Sequence, residues 1–266
     1  MFRFANIALD KAHERKLAAW QKKVNAAGNY TAQVKEAKLS FSKYNKRRNV
    51  TFDHIKLRLT DLCCGVRRCA YCEDSLADEV EHMRPKDLYP NQVFSWQNYI
   101  YACGPCNGPK NNKFSVLSGT PPALVSVTRS KGDPVQPPIP GTPALLDPRV
   151  EDPLHYLFLD LANTFVFLPQ RGLSNSEKLR AEYTLQVLRL NERDLLIESR
   201  KNAFRNYRAR LREYIQERDA GGDVSAYPVE FRKMDHRTVW LEMQRQRSTF
   251  AALRELFLAA PEALGW

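Results

Sequence analysis

The segment from Cys69 to Phe114 is the most informative about the fold and reads CAYCEDSLADEVEHMRPKDLYPNQVFSWQNYIYACGPCNGPKNNKF. It begins with Cys69-Ala-Tyr-Cys72, and a second pair, Cys103-Gly-Pro-Cys106, follows after 30 intervening residues. Each pair can present two thiolates at tetrahedral angles, and two pairs complete a closed four-sulfur site of the kind that holds structural zinc. Four coordinated thiolates leave no open position for water or substrate. This zinc is therefore predicted to stabilise the fold and not to perform catalysis.

The remaining cysteines, Cys63 and Cys64, lie outside this pattern. They are predicted to be buried or incidental thiols. A redox role for the two Cys-x-x-Cys pairs is disfavoured, because no thioredoxin-like βαβ pattern surrounds them.

Composition and apolar runs narrow the class of protein. The chain has 266 residues, of which 43% are hydrophobic and 27% charged, which is ordinary for a soluble globular protein and excludes a disordered or collagen-like chain. No apolar run approaches the roughly 18 residues that a membrane span needs, and the apolar start of the chain breaks at Asp10 before a signal-peptide core could form. We therefore expect a cytoplasmic protein with no membrane partner, in which disulfides are disfavoured.

Positive charge is concentrated at the N-terminus. The formal net charge is +11, and residues 1–58 carry 14 Lys and Arg against 4 Asp and Glu, which leaves 27 bases and 26 acids in the rest of the chain. The densest cluster is Lys43, Lys46, Arg47 and Arg48. Such a cluster fits contact with a phosphate backbone or an acidic partner, and it equally fits a solvated helix face, so both interpretations stay open.

Outside the cysteine-rich stretch the sequence predicts a mainly helical protein. Amphipathic patterns predict helices over residues 10–24, 31–43, 229–246 and 248–260. A capping sequence at Ser174 predicts a helix to Leu190, and Asn191 is predicted to cap a long helix that runs to about Ala220. Residues 53–62 fit both a strand and a helix. On the long helix a basic stripe is predicted to face solvent, formed by Lys201, Arg205, Arg208 and Arg212.

Extended structure is predicted in two places after the cysteine-rich stretch. Nine of the sixteen prolines fall between Pro121 and Pro153, which favours a linker or a loop laid over a surface. Apolar runs at 155–159 and 164–168, separated by a short polar stretch, predict a β-hairpin.

The residues between the cysteine pairs add a second set of motifs. Glu81-His82 comes first, Trp96-Gln-Asn98 follows, and the second pair runs directly into Asn107-Gly-Pro-Lys110. In this order the motifs resemble an HNH endonuclease. The ββα-metal core of that family carries an acid–His pair on its second strand, a central Asn after a loop, and a His or Asn on the helix. Here Asn107 makes this the HNN form.

The resemblance implies a role for each of these residues. His82 is expected to be the general base that activates water, while Glu81 and the amide oxygen of Asn107 bind a catalytic Mg²⁺ or Mn²⁺. Alternation along a strand places Glu81 and His82 on opposite sides, so they do different jobs. Asn98 is expected to hydrogen-bond across the loop and fix the histidine strand. Phosphate contacts are expected from Arg84, Lys86 and Lys110.

A narrower resemblance concerns biological role. The segments Cys-Ala-Tyr-Cys-Glu and Glu-His-Met-Arg-Pro-Lys are similar to the HNH subunits of Septu-type and some retron-linked anti-phage systems. The resemblance implies a metal-dependent endonuclease that cuts DNA or RNA and works with an ABC-type ATPase in a hetero-oligomeric complex. The alternative is a non-catalytic, zinc-stapled nucleic-acid-binding or adaptor subunit.

Taken with the resemblance, the patterns predict an α+β fold in which a small zinc-stapled ββα-metal core is embedded in a mainly helical protein with an extra β-hairpin. The expected organisation along the chain is a basic helical segment over 1–58, the nuclease core over 59–118, a proline-rich linker or surface loop over 119–153, and a β-hairpin with accessory helices over 154–266.

Overall fold

Three helices open the chain. The computed structural model describes residues 1–74 and 76–266, and about half of these residues are helical, in an α+β arrangement with small sheets. The first helices are α1 (Lys11–Asn25), α2 (Tyr30–Tyr44) and α3 (Val50–Leu62). The first two agree with the predicted helices over 10–24 and 31–43.

Helix α3 settles the stretch over 53–62 that fitted two kinds of structure. Ile55, Leu59 and Leu62 are buried at spacings of four and three residues, while Leu57 is 59% exposed. A strand would have placed residues 55, 57 and 59 on one face, so the burial pattern is that of a helix. Asn49 starts the helix by accepting hydrogen bonds from the N–H groups of the next turn.

The cysteine-rich stretch folds as two strands followed by a helix. Strands β1 (Glu79–His82) and β2 (Tyr99–Ala102) pair antiparallel, and the loop between them contains two turns of 3₁₀ helix. Helix α4 (Gly104–Lys110) begins directly after Cys103. The Glu81–His82 pair therefore ends the first strand of this sheet, and the expectation that it lies on the second strand is wrong.

Part of the proline-rich stretch is ordered as a sheet. Strand β3 (Ser115–Ser118) lies between β4 (Ala123–Ser126) and β5 (Thr142–Pro143), antiparallel to both. At Gly141 the chain approaches β3 so closely that a Cβ atom would lie 2.6 Å from the Leu117 carbonyl oxygen, which only glycine allows. Residues 119–153 therefore pair with β3 twice, through β4 and β5, with turns and irregular chain in between.

Residues 153–266 contain the predicted hairpin and six α-helices of different lengths. The hairpin is present and consists of strands β6 (Leu157–Leu159) and β7 (Phe167–Pro169). Around and after it lie α5 (Pro153–Tyr156), α6 (Asn175–Leu188), α7 (Asp194–Asp219), α8 (Tyr227–Lys233), α9 (Arg237–Arg245) and α10 (Ala251–Ala259). Ser174 caps α6 in a reciprocal capping box with Glu177, as predicted.

Two boundaries differ from the prediction. Asn191 does not cap α7, because its side chain accepts from the Phe167 N–H at 2.9 Å and donates to the Phe167 carbonyl at 2.7 Å, which ties β7 to the end of α6. The single helix predicted over 229–246 is two helices. The break falls at His236, whose φ of 50° is incompatible with a continuous right-handed helix.

The C-terminal helices pack around aromatic side chains. Trp240 is fully buried, and its ring lies within 4.7–5.5 Å of the rings of Tyr207, Phe231 and Phe257. Aromatic pairs at such separations contribute beyond their buried area. Among the helices that the structure describes, none is both long enough and apolar enough to cross a membrane.

Candidate active site

The four predicted zinc ligands converge. The sulfur atoms of Cys69, Cys72, Cys103 and Cys106 all lie within 4.8 Å of one another, and all four residues are buried. The first pair is fixed to β2 by the Ala70 N–H, which donates to the carbonyl of a β2 residue at 2.8 Å, and the second pair spans the start of α4. Four buried thiolates at this separation can hold one zinc ion.

An arginine from the accessory helices contacts this cluster. The Arg193 guanidinium, at the start of α7, donates to the Cys106 sulfur at 3.2 Å. Outer-shell donors of this kind orient the ligands and offset the negative charge of a four-thiolate site. Since α7 lies nearly ninety residues further along the chain, no local sequence signal indicated Arg193. Cys63 and Cys64 lie outside the cluster, and burial raises the pKa of Cys63 to about 12.

Next to the cysteine cluster, the end of β1 and the start of α4 enclose a polar cavity of about 210 Å³. It is lined by Glu79, Glu81, His82, Lys86, Asn107 and other residues in or just after β1 and α4. The structure thus brings His82, Glu81 and Asn107 to one cavity. Asn98 does not line it.

The His82 ring packs against aromatic side chains and, within the described residues, makes one hydrogen bond. Its Nε2 atom is 2.9 Å from the carbonyl oxygen of Val93, and its ring packs edge-on against Phe41 of α2, with 4.5 Å between centroids, and against Tyr99. Burial lowers the pKa of His82 to about 3, helped by the positive charge of Lys86, so the ring is neutral at neutral pH. A neutral ring that donates from Nε2 to a carbonyl has Nδ1 as a proton acceptor.

Glu81 is paired with a buried lysine. The Lys110 side chain is fully buried, forms an ion pair with the Glu81 carboxylate and donates to the His82 carbonyl oxygen at 3.0 Å. The structure does not support the expected phosphate contact by Lys110, because its ammonium group is inside the protein and already has partners. Lys110 instead links the end of α4 to the strand that carries Glu81 and His82.

Asn107 faces a carboxylate that the sequence analysis did not select. Its amide nitrogen donates to Glu79, while its Oδ1 atom is buried and has no hydrogen-bond partner within the described residues. Glu79 lies two residues before Glu81 and so shares its side of β1, a signal that strand alternation could have supplied. An unpartnered buried amide oxygen next to two carboxylates is the hard-oxygen donor set that a divalent cation prefers.

The other predicted site residues lie around this cavity in different roles. Asn98 accepts from the Arg84 N–H at 2.7 Å and donates to the carbonyl oxygens of Arg84 and Gln92 at 3.0 Å, so it closes the loop that follows the histidine strand. The Arg84 guanidinium stacks over Tyr89 and lines a separate cavity. Lys86 lines the polar cavity, with its Nζ 5.4 Å from the centroid of the Phe41 ring.

Comparison with known proteins gives a partial likeness. Over 62 residues the chain is 44% identical to the Septu protein PtuB of Bacillus thuringiensis, and the match covers 21% of this chain and 23% of that protein. The chain thus matches less than a quarter of the length of this relative. No protein-family model matches the chain.

Proposed function

We propose that this protein is a metal-dependent endonuclease of the HNH type, which hydrolyses phosphodiester bonds in nucleic acid. The observation that carries the proposal is the polar cavity, where a neutral histidine, two carboxylates and an unpartnered amide oxygen meet beside a four-cysteine cluster. Hydrolysis of a phosphodiester needs a base for water and a cation for the phosphate oxygens. The cavity contains candidates for both.

His82 is the proposed general base. The Val93 carbonyl fixes the tautomer in which Nδ1 is unprotonated, and the contact with Phe41 restricts rotation of the ring. Nδ1 then takes a proton from the attacking water. Because burial lowers the pKa of His82, the ring is neutral at neutral pH, with Nδ1 unprotonated.

Glu81, Asn107 and Glu79 are the proposed ligands of a catalytic Mg²⁺ or Mn²⁺. The free Oδ1 atom of Asn107 fits this assignment, because a buried amide oxygen without a partner costs free energy unless a donor or cation satisfies it. When bound, the cation would offset the negative charge that develops on the phosphate. The ion pair with Lys110 meanwhile keeps Glu81 in place at the end of β1.

The four cysteines are proposed to hold a structural zinc, and Asn98 is proposed to act as a brace. The cysteine cluster joins the residues before β1 to α4, so it sets the distance between the elements that carry His82 and Asn107. Asn98 fastens both ends of the loop from Arg84 to Gln92. The cysteine cluster and Asn98 can both be required for alignment of the substrate without contacting it, because they position the residues that do.

The partial likeness to a Septu protein supports a role in anti-phage defence, and we propose that the nuclease works there beside an ABC-type ATPase in the cytoplasm. Co-purification with the product of a neighbouring ATPase gene tests the partner. If the two proteins elute separately both with and without nucleotide, the proposed ATPase partner is wrong.

The activity is tested by incubating the zinc-loaded protein, alone and with its ATPase partner, with DNA and with RNA in Mg²⁺ or Mn²⁺. We expect cleavage that stops when the added Mg²⁺ or Mn²⁺ is withheld while the zinc stays bound. Salt-sensitive binding without cleavage under every metal and partner condition would instead favour the non-catalytic adaptor subunit.

A further inference from the structure

Two groups of basic residues lie on the surface of this protein, and they differ in whether carboxylates lie close enough to form ion pairs with them. On α7, Lys201 and Arg205 lie 3.7 and 3.9 Å from Glu198. Further along α7, Arg210 and Arg218 also pair with carboxylates. Much of the positive charge of this helix is therefore balanced locally, as in an ordinary solvent-facing helix.

The second group has no such balance. We call residues 43–48, at the end of α2, the basic turn; its charged members are Lys43, Lys46, Arg47 and Arg48. All four are exposed. Among the described residues, no carboxylate oxygen lies within 4.0 Å of their cationic nitrogen atoms, the distance that defines an ion pair. The one acid of α2, Glu36, is already held by the Lys23 ammonium at 2.5 Å and by the hydroxyl group of Ser40.

The basic turn follows shortly after a residue that packs on the His82 ring. Phe41, two residues before the basic turn, contacts the His82 ring. Lys86 lies over the Phe41 ring and also lines the cavity. Lys46 follows Phe41 by five positions, which correspond to about 8 Å of helix and to at most about 18 Å of extended chain. Phosphates in a duplex strand repeat every 3.4 Å or so along the axis, so this span reaches a few nucleotides from the cavity.

We infer that the basic turn binds the phosphodiester backbone of the nucleic-acid substrate a few nucleotides from the bond positioned at His82. This inference rests on the proposed function and names the surface that grips the substrate. Four cations without a carboxylate partner within six residues would displace counterions from a phosphate backbone, which favours binding. Lys86 adds a further positive charge in the cavity.

The test compares two variants of the full-length, zinc-loaded protein with equal loss of charge, both made in the His82→Ala background so that binding is measured without cleavage. The first carries Lys43→Gln, Lys46→Gln, Arg47→Gln and Arg48→Asn; asparagine suits residue 48 because its φ is 66°. The matched control carries Lys178→Gln, Lys201→Gln, Arg205→Gln and Arg212→Gln. Thermal unfolding first establishes that both are folded.

The readout is the salt dependence of binding to labelled DNA and RNA oligonucleotides. Each lost phosphate contact lowers the slope of log Kobs against log [salt] by about 0.7 for single strands and 0.9 for duplexes, so four contacts predict a reduction of roughly 3. We expect that reduction, and at least about tenfold weaker binding near 0.1 M salt, in the first variant, while the control keeps the parental slope.

Equal slopes for the first variant and its parent would overturn the inference. Unchanged nucleic-acid binding together with loss of association with the ATPase would also overturn it and make the basic turn a protein-docking surface. Failure of the proposed function is distinguishable, because it would appear as His82-independent cleavage or no cleavage by the unmodified protein, whatever the salt slopes are.

Discussion

Replacing Lys110 by methionine tests the claim that this residue is a buried internal partner and not a surface contact for phosphate. Methionine keeps most of the side-chain volume and removes the charge. The Lys110 side chain is fully buried and that of Glu81 is only 11% exposed, so the variant leaves a carboxylate inside the protein without its cation. Breaking a buried pair in this way costs about 3–5 kcal/mol in the free energy of unfolding, and the lost bond to the His82 carbonyl is part of that cost.

The assay is urea unfolding at neutral pH of the zinc-loaded protein without added Mg²⁺. Lys113→Met, on an exposed lysine three residues away, is the matched control and should change stability by no more than about 0.5 kcal/mol. In a Glu81→Gln background, Lys110→Met should cost clearly less, because no charge is left unpaired. A loss below about 1 kcal/mol, or the same loss in both backgrounds, would refute the buried ion pair.

Three further outcomes follow from other contacts. Cys103→Ser should give a chain that binds no zinc stoichiometrically and fails to fold, and a soluble, folded, zinc-free variant would contradict the structural role of the cluster. Arg193→Gln, which removes the donor to the sulfur of Cys106, should lower zinc affinity about 10–100-fold in a chelator competition, against no change if the contact is incidental. Glu151 is half-buried, which by itself raises its pKa, yet the bidentate Arg180 partner brings the pKa below its ordinary 4.5. Glu151→Gln should therefore cost about 1.5–3 kcal/mol at pH 7, and the difference from the parent should vanish as the pH falls through the folded-state pKa; a pH-independent difference in unfolding free energy would oppose this.

Local patterns predicted the parts of this fold that local chemistry determines. The cysteine spacing predicted a four-cysteine cluster, and the structure brings the four sulfur atoms within 4.8 Å of one another. The capping box at Ser174 and the hairpin between residues 155 and 169 are also local, and both are present. In each case the residues that interact are close in sequence or follow a fixed spacing.

The differences arise where a distant residue competes for a side chain. Asn191 looks like a helix cap in sequence, but a bond to the backbone of Phe167 in the hairpin removes it from that role. Lys110 looks like a phosphate ligand in sequence, but in the structure its side chain pairs with Glu81 of β1. No periodicity in the sequence could have indicated that Phe41 of α2 packs on the His82 ring, because that contact joins the N-terminal helices to the cysteine-rich stretch.

The same long-range contact changes the meaning of the N-terminal charge. Residues 1–58 hold nearly all of the net positive charge, and the sequence alone does not indicate that they contact the candidate active site. In the structure, α2 forms one wall of the His82 environment, and the basic turn follows directly from that wall. The N-terminal charge therefore follows shortly after a residue that packs on His82, whereas two of the four residues of the α7 stripe, Lys201 and Arg205, lie within 4.0 Å of Glu198.

The central claim is that His82 activates water in the polar cavity, and its most direct test is the rate of nucleic-acid cleavage by His82→Ala with Mg²⁺ or Mn²⁺ present. His155→Ala, on an exposed histidine that pairs with Glu177, is the matched control. His82→Ala is expected to bind the substrate as the parent does but to cleave it about 10²–10⁴-fold more slowly, while the control is unchanged. Cleavage by folded, zinc-loaded His82→Ala at the parental rate would show that His82 is not the base.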